Sequence, residues 1–209
     1  MKTLIIGANG KIGRILCQQC VQQKIPLRAM IRATAQLPYF EKLGIETVMA
    51  DLEGDFSPAF AGCERVVFTA GSGGHTGGDK TLLVDLYSAI RAIEESEKRA
   101  IRHFIMVSSL RSENPMEGSE KIRHYLVAKK LADEHLMRSS LPYTILRPGR
   151  LTEESGSGSI RTDIGKERSH GSISRANVAA CILACFNNTR VHGKVMDLLD
   201  GDLPISEVL

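Results

Sequence analysis

Gly7, Gly10 and Gly13 stand three residues apart directly after the β-favouring run Thr3-Leu4-Ile5-Ile6, and helix formers follow at once. Each glycine answers a separate demand. At 7 the chain must turn sharply out of a buried strand. At 10 a side chain would hold a diphosphate away from the backbone, and at 13 it would hold the next helix away from the sheet. The helix N-terminus adds free N–H groups and a partial positive charge. Gly7, Asn9, Gly10, Lys11, Ile12 and Gly13 therefore form a candidate cradle for the phosphates of a dinucleotide.

A second group of residues carries acid–base chemistry. Tyr125 and Lys129 lie four apart in a helical stretch and so share one face. Upstream, Ser108 and Ser109 close a strand-like run. Beside a nicotinamide, such a set performs carbonyl–alcohol redox chemistry. The serine hydroxyl orients the substrate oxygen, and the tyrosine hydroxyl delivers or removes the proton. The lysine ammonium is expected to lower the tyrosine pKa from its usual value of ~10 and to hold the nicotinamide ribose.

The residue closing the second strand bears on which nucleotide is bound. An acid there would accept from the ribose 2′-hydroxyl of NAD, but Arg32 occupies the position. A guanidinium suits the 2′-phosphate of NADP by charge and by fork geometry. Arg14, just after the glycines, is placed to assist. Asp51 and Leu52, after the third strand, are candidates for the adenine, with the carboxylate accepting from its amino group. NADP(H) is the expected cofactor.

The elements that must position these residues alternate. Strands are predicted over 2–6, 27–31, 45–49, 65–69, 103–108, 143–146 and 194–199. Helices are predicted over 12–23, 36–43, 80–98, 120–139 and 175–186. Continuous apolar strands alternating with helices predict an α/β fold, a Rossmann-type doubly wound parallel sheet. It is expected as a single domain over 1–209 with a small C-terminal substrate region. Right-handed crossovers bring the strands' C-terminal ends to one edge. Gly7, Arg32, Asp51, Ala70, Gly71, Ser108, Ser109, Pro148 and Gly149 all follow or end strands and so converge there. Ala70, Gly71, Ser108 and Pro148 join the candidate nucleotide contacts on this ground. Two loops border the same edge. Residues 71–79 are glycine-rich and contain His75. Residues 151–172, within a substrate loop region of about 149–173, show no periodicity and are expected as a lid or binding loop.

Composition bounds the partners. The 209 residues suffice for one sizeable core, with 43% hydrophobic and 24% charged residues and a net charge of +3. The basic residues are dispersed, so neither nucleic acid nor a membrane surface is an expected partner; a small-molecule substrate is. No apolar run is long enough to span a bilayer and no leader-like segment is evident, so a cytoplasmic location is expected. The five cysteines are an odd number, which fits a reducing compartment. Cys17 and Cys20 lie inside the first helix rather than at its N-terminus, and packing is their expected role. No further ligands complete a zinc site, and no metal is expected.

Taken together, Gly7-x-x-Gly10-x-x-Gly13, Ser108-Ser109, Tyr125-x-x-x-Lys129 and Tyr143-Thr144-Ile145-Leu146-Arg147-Pro148-Gly149 resemble the short-chain dehydrogenase/reductase superfamily. The likeness covers essentially the whole chain. It is strongest to the short atypical members, the NAD-dependent epimerase/dehydratase-like or NmrA-like group. The segment His124-Tyr125-Leu126-Val127-Ala128-Lys129-Lys130-Leu131-Ala132-Asp133-Glu134 is particularly similar to them. The resemblance implies that Ser109 is the catalytic serine and that Ser108 lines the cofactor side. It implies Tyr125 and Lys129 as catalytic partners. The family's usual supporting Asn is not apparent, and Asp85 resembles the acid that the atypical group carries instead. The implied activity is NADP(H)-dependent reduction of a small carbonyl or similar acceptor. A non-catalytic NADP(H)-binding redox sensor and an NAD(P)-dependent epimerase or dehydratase are the alternatives.

Overall fold

The structure, a computed structural model, describes residues 1–74, 76–165 and 171–209. Strand β1 (Thr3–Ile6) is buried along its whole length. Its side chains alternate between two cores: Leu4 and Ile6 serve one face of the sheet, Ile5 the other. This explains the unbroken apolar run, since a strand covered on both faces has no polar side.

The remaining strands are β2 (Leu27–Ile31), β3 (Glu46–Met49), β4 (Arg65–Phe68), β5 (His103–Val107), β6 (Tyr143–Pro148), β7 (Arg150–Thr152), β8 (Ser159–Arg161), β9 (Ser172–Ser174), β10 (Lys194–Asp200) and β11 (Leu203–Pro204). The helices are α1 (Lys11–Gln22), α2 (Leu37–Lys42), α3 (Gly78–Lys80), α4 (Ser88–Lys98), α5 (Glu120–Arg138), α6 (Arg175–Ala184) and α7 (Ile205–Val208). A π-helical stretch, Thr81–Tyr87, joins α3 to α4.

The main sheet runs β3-β2-β1-β4-β5-β6-β10-β8-β11. It is parallel from β3 to β10; β8 pairs antiparallel with β10, and β11 antiparallel with β8. The chain moves outward from β1 to β3, then returns to place β4 on the other side of β1. Strand order therefore reverses between β1 and β4, where a doubly wound sheet opens a crevice for ligands. Register keeps the strand ends level there: Ile6 faces Phe68, and Phe68 faces Met106.

Helices α1 and α6 cover one face, where Leu16, Cys17, Cys181 and Ile182 pack on Ile5, Val67 and Ile105. Helices α4 and α5 cover the other, where Ala92, Ile93 and Leu136 pack on Leu4, Phe68 and Phe104. All five cysteines are free and buried. Burial pushes Cys17 up to about 12 and Cys20 up to about 11, values at which neither is a thiolate near neutrality.

The segment 151–172 departs from expectation. It is not an unstructured loop: it carries the end of β7, all of β8 and the start of β9. Strand β8 pairs with β10 and β11, and β7 pairs with β9 in a separate two-stranded ribbon. Both ribbon strands are three residues long, too short for an alternation to stand out. His75, in the glycine-rich loop, lies outside the described residues.

Candidate active site

The turn between β1 and α1 is built by steric exclusion. Gly7 has φ +87°, and a Cβ there would lie 2.6 Å from the backbone nitrogen of Ala70. A Cβ on Gly13 would lie 2.7 Å from the carbonyl oxygen of Ala8 and would also strike that of Gly7. Only glycine lets α1 start this close to the sheet. Gly10 is the N-cap of α1 and supplies no side-chain cap. The first N–H groups of the helix are thus left for a ligand, with the positive end of the helix dipole behind them.

In front of this turn lies a cleft of about 590 Å³. Of the residues singled out from sequence, Gly7, Asn9, Gly10, Lys11, Arg32, Asp51, Leu52, Ala70 and Gly71 line it. Sequence reading missed Gln36, Glu53, Thr69, Ser72 and Lys80, which also line it. Lys80 and Glu53 form an ion pair at the cleft, with Nζ 2.7 and 2.8 Å from the two carboxylate oxygens. Lys11 pairs with Glu153, which also holds Arg175 at 2.8 Å. The phosphate turn is thereby tied to the segment after β7.

Five of the expected nucleotide contacts do not line this cleft: Ile12, Gly13, Ser108, Pro148 and Lys129, the last held under the site by the Val107 carbonyl. Ile12 is buried in the core beside Leu16 and Cys17, as the inward face of an amphipathic α1 requires. Pro148 is a buried member of β6 whose carbonyl accepts from the N–H of Leu110 at 2.9 Å. Ser108 is only 3% exposed. Its Oγ lies 3.5 Å from Ser112 Oγ and beside the carboxylate of Asp133, so it faces a buried polar cluster instead of the cofactor side. Arg14 also differs from expectation. Its Nη2 and Nε donate to Asn9 Oδ1 at 2.6 and 3.0 Å, and its guanidinium stacks 4.2 Å from the Tyr39 ring centroid. It braces the glycine turn and does not line the cleft.

The acid–base residues come together at the next strand ends. Tyr125 is half-buried and its hydroxyl is hydrogen-bonded to the Ser109 side chain. Lys129, one turn further along α5, is 1% exposed and donates from Nζ to the Val107 carbonyl oxygen at 2.8 Å. Asp85, in the π-helical stretch, is 1% exposed and accepts from the Ser72 N–H at 3.0 Å. A Cβ on Gly71 would lie 2.9 Å from Asp85 Oδ1, so the bare backbone at 71 makes room for this carboxylate behind the cleft.

The electrostatics correct one expectation. The Tyr125 hydroxyl is not lowered towards neutrality but pushed well above its usual value. Burial is the main cause, Asp85 and Asp133 add to it, and the hydrogen bond from Ser109 opposes it. Lys129 exerts no comparable pull, because burial itself drives its ammonium down, against the opposing pull of Asp85 and Asp133. Tyr125 is therefore a phenol that keeps its proton, suited to giving one up to a basic oxygen.

Beneath this group lies a buried network that sequence reading missed. Asp133 Oδ2 accepts from Arg147 Nε and from Ser112 Oγ, each at 3.0 Å, and Arg147 Nη1 reaches Glu113 at 3.5 Å. Burial raises the Asp133 carboxyl, while Arg147, the Ser108 hydroxyl and Lys129 oppose the shift. Among the described residues no cluster of three or more His, Cys, Asp or Glu could hold a metal ion. No helix among them is long and apolar enough to cross a membrane.

The cleft suits a nicotinamide dinucleotide. The glycine turn leaves no Cβ in front of a bare helix N-terminus, and the cleft runs along β1 to β4 with Asp85 at its far side. Comparison with known proteins agrees. The Bacillus subtilis protein YhfK, named an uncharacterized sugar epimerase, is 43% identical over 215 residues, covering 100% of this chain and 99% of its own. A Bacillus halodurans structure, provisionally named an NAD-dependent epimerase/dehydratase, is 45% identical with a TM-score of 0.95, covering 100% of this chain and 98% of that one. The oxidoreductase ylbE of Lactococcus lactis is 27% identical with a TM-score of 0.87, covering 99% and 94%. The model of the NAD(P)H-binding family matches residues 7–189. This chain belongs to that NAD(P)H-binding family and is a member of its atypical short-chain dehydrogenase/reductase group.

Proposed function

We propose that the protein is an NADP(H)-dependent oxidoreductase that reduces a small carbonyl or similar acceptor. One observation carries the reading: a protonated Tyr125 hydrogen-bonded to Ser109, above a buried Lys129, at the edge of a nucleotide cleft. Gly7, Gly10, Lys11 and the α1 N-terminus hold the diphosphate, Arg32 meets the 2′-phosphate, and Asp51 and Leu52 meet the adenine. The bound nicotinamide supplies a hydride to the carbonyl carbon. Ser109 orients the carbonyl oxygen by hydrogen bonding. Tyr125 gives that oxygen its hydroxyl proton as negative charge develops there, and the product is the alcohol. Asp85 acts on Tyr125 from behind, its carboxylate keeping the resting phenol protonated, and Lys129 positions the phenol by holding its helix face to the Val107 carbonyl. The name of the Lactococcus lactis neighbour supports an oxidoreductase. The test is NADPH carrying deuterium at both C4 positions of the nicotinamide. Deuterium retained at the carbinol carbon of the product, with one NADPH consumed per turnover, is the expected result; an alcohol free of label contradicts it.

The names of YhfK and of the Bacillus halodurans protein favour a second reading, an epimerase or dehydratase. In that case the nucleotide is regenerated within each turnover and no net NADPH is consumed, so the same assay separates the two.

A further inference from the structure

Ser109 begins a tight turn. The N–H of Ser112 donates to the Ser109 carbonyl at 3.1 Å, and of the two residues between, Arg111 alone has a positive φ, +71°. This is the pattern of a type II turn, whose third position favours Gly or Asn. An arginine there stands against its backbone preference. The turn is pinned on both sides. Leu110 is buried with Ile164 and Leu199, and its N–H donates to Pro148 O. Ser112 is fully buried and donates to Asp133.

Among the described residues the side chain held there has no partner. Arg111 is half-buried, its Nε is shut off from solvent, and its guanidinium makes no hydrogen bond or ion pair among the described residues. Other arginines are engaged through at least one nitrogen: Arg147 with Asp133 and Glu113, Arg123 with Gly118 O and Glu120 although its Nε is also unbonded, Arg175 with Thr152 O and Glu153. A desolvated donor without an acceptor is costly. So is a left-handed backbone that glycine would adopt freely. Both costs fall on one residue, two positions beyond Ser109.

We infer that Arg111 binds the carboxylate of an anionic carbonyl substrate, making a 2-oxo acid the acceptor class. The inference rests on the redox reading of Ser109 and Tyr125 given above. The guanidinium fork matches a carboxylate bidentately. Ser109 and Arg111 are the first and third residues of one four-residue turn, so their side chains leave the same short stretch of backbone, beside which one small molecule can meet both.

The test is calorimetric titration of the full chain, saturated with NADP⁺, with benzoylformate and with its methyl ester. Saturation fills the phosphate cradle, and the oxidised nucleotide prevents reduction. The acid is expected to bind at least about tenfold tighter than the ester. Arg111→Met brings the acid down to the ester's affinity and leaves the ester unchanged. Arg111→Gly also loses the preference, yet melts no lower than the wild type because glycine relieves the positive φ. Equal binding of acid and ester by the wild type, or a preference that survives Arg111→Met or Arg111→Gly, overturns the inference. Tyr125→Phe separates the two claims. If it leaves turnover intact while the acid preference stands, only the redox reading falls. If it abolishes turnover while acid and ester bind alike, only the role of Arg111 falls.

Discussion

Lys129 Nζ donates to the carbonyl oxygen of Val107 over 2.8 Å, a bond that ties the middle of α5 to the last residue of β5. It fixes the helix face that also carries Tyr125, and so sets the phenol against Ser109 just beyond the strand. A buried ammonium held by a neutral carbonyl gains little for stability, since among the described residues no carboxylate is salt-bridged to it. Lys129→Met should therefore melt close to the wild type while kcat falls by about 10²-fold or more. Thermal denaturation alongside steady-state kinetics checks this; a large loss of Tm with normal kcat would make the residue structural.

Asp85 sets the proton affinity of Tyr125. Its charge helps to raise the hydroxyl, so removing the charge lowers it. In Asp85→Asn the alkaline limb of the kcat/KM profile, which reports loss of the proton-donating form, should move to lower pH. An alkaline limb that stays put would mean that another group governs it.

Arg32 lines the cleft and is exposed, with its backbone N–H bonded to Gln36 Oε1 at 3.1 Å and its guanidinium without a partner among the described residues. A charge-assisted contact of this kind is worth about 1.5–3 kcal/mol, or roughly 10- to 100-fold in affinity. Arg32→Glu should therefore weaken NADPH binding by that factor and turn the preference towards NADH. Fluorescence titration with both nucleotides measures it, and an unchanged ratio would place the 2′-phosphate elsewhere.

Stability should depend on pH through His103, at the opposite end of the sheet from the cleft. Its Nε2 lies 2.8 Å from Thr144 Oγ1, which itself donates to Val191 O; the imidazole must therefore be the donor, as the neutral Nε2–H tautomer. Burial, then His192, whose ring centroid is 4.5 Å away, then Arg65 push it from 6.5 down to about 3. Between those values the unfolded chain binds a proton that the folded chain refuses. Stability thus rises with pH across this window and is lost as pH falls below 6.5. At pH 5 the loss is about 2 kcal/mol. Chemical denaturation at pH 7 and pH 5 should show it in the wild type and not in His103→Gln.

The doubly wound core was legible because its signal is local. Runs such as Val66-Val67-Phe68, buried on both faces, need no partner to be recognised as strands, and strand ends in a parallel sheet share one edge. Nine of the nineteen residues lining the cleft followed from the glycine spacing and from that shared edge. What escaped depends on distant partners or on backbone geometry. Strand β8 exists because β10 and β11 flank it. The π-helical stretch around Asp85 and the positive φ of Arg111 leave no periodic trace. Ser108 and Ser109 are adjacent, yet one faces Asp133 and the other Tyr125, a division that side-chain packing decides.

The most direct measurement is NADPH oxidation over a panel of aldehydes, ketones and oxo acids, by the wild type and by Tyr125→Phe, with nucleotide affinity measured for both. Proton donation by Tyr125 predicts that the wild type consumes NADPH with at least one acceptor and that Tyr125→Phe lowers kcat by about 10²- to 10⁴-fold at unchanged nucleotide affinity. Equal turnover by the two proteins would contradict it.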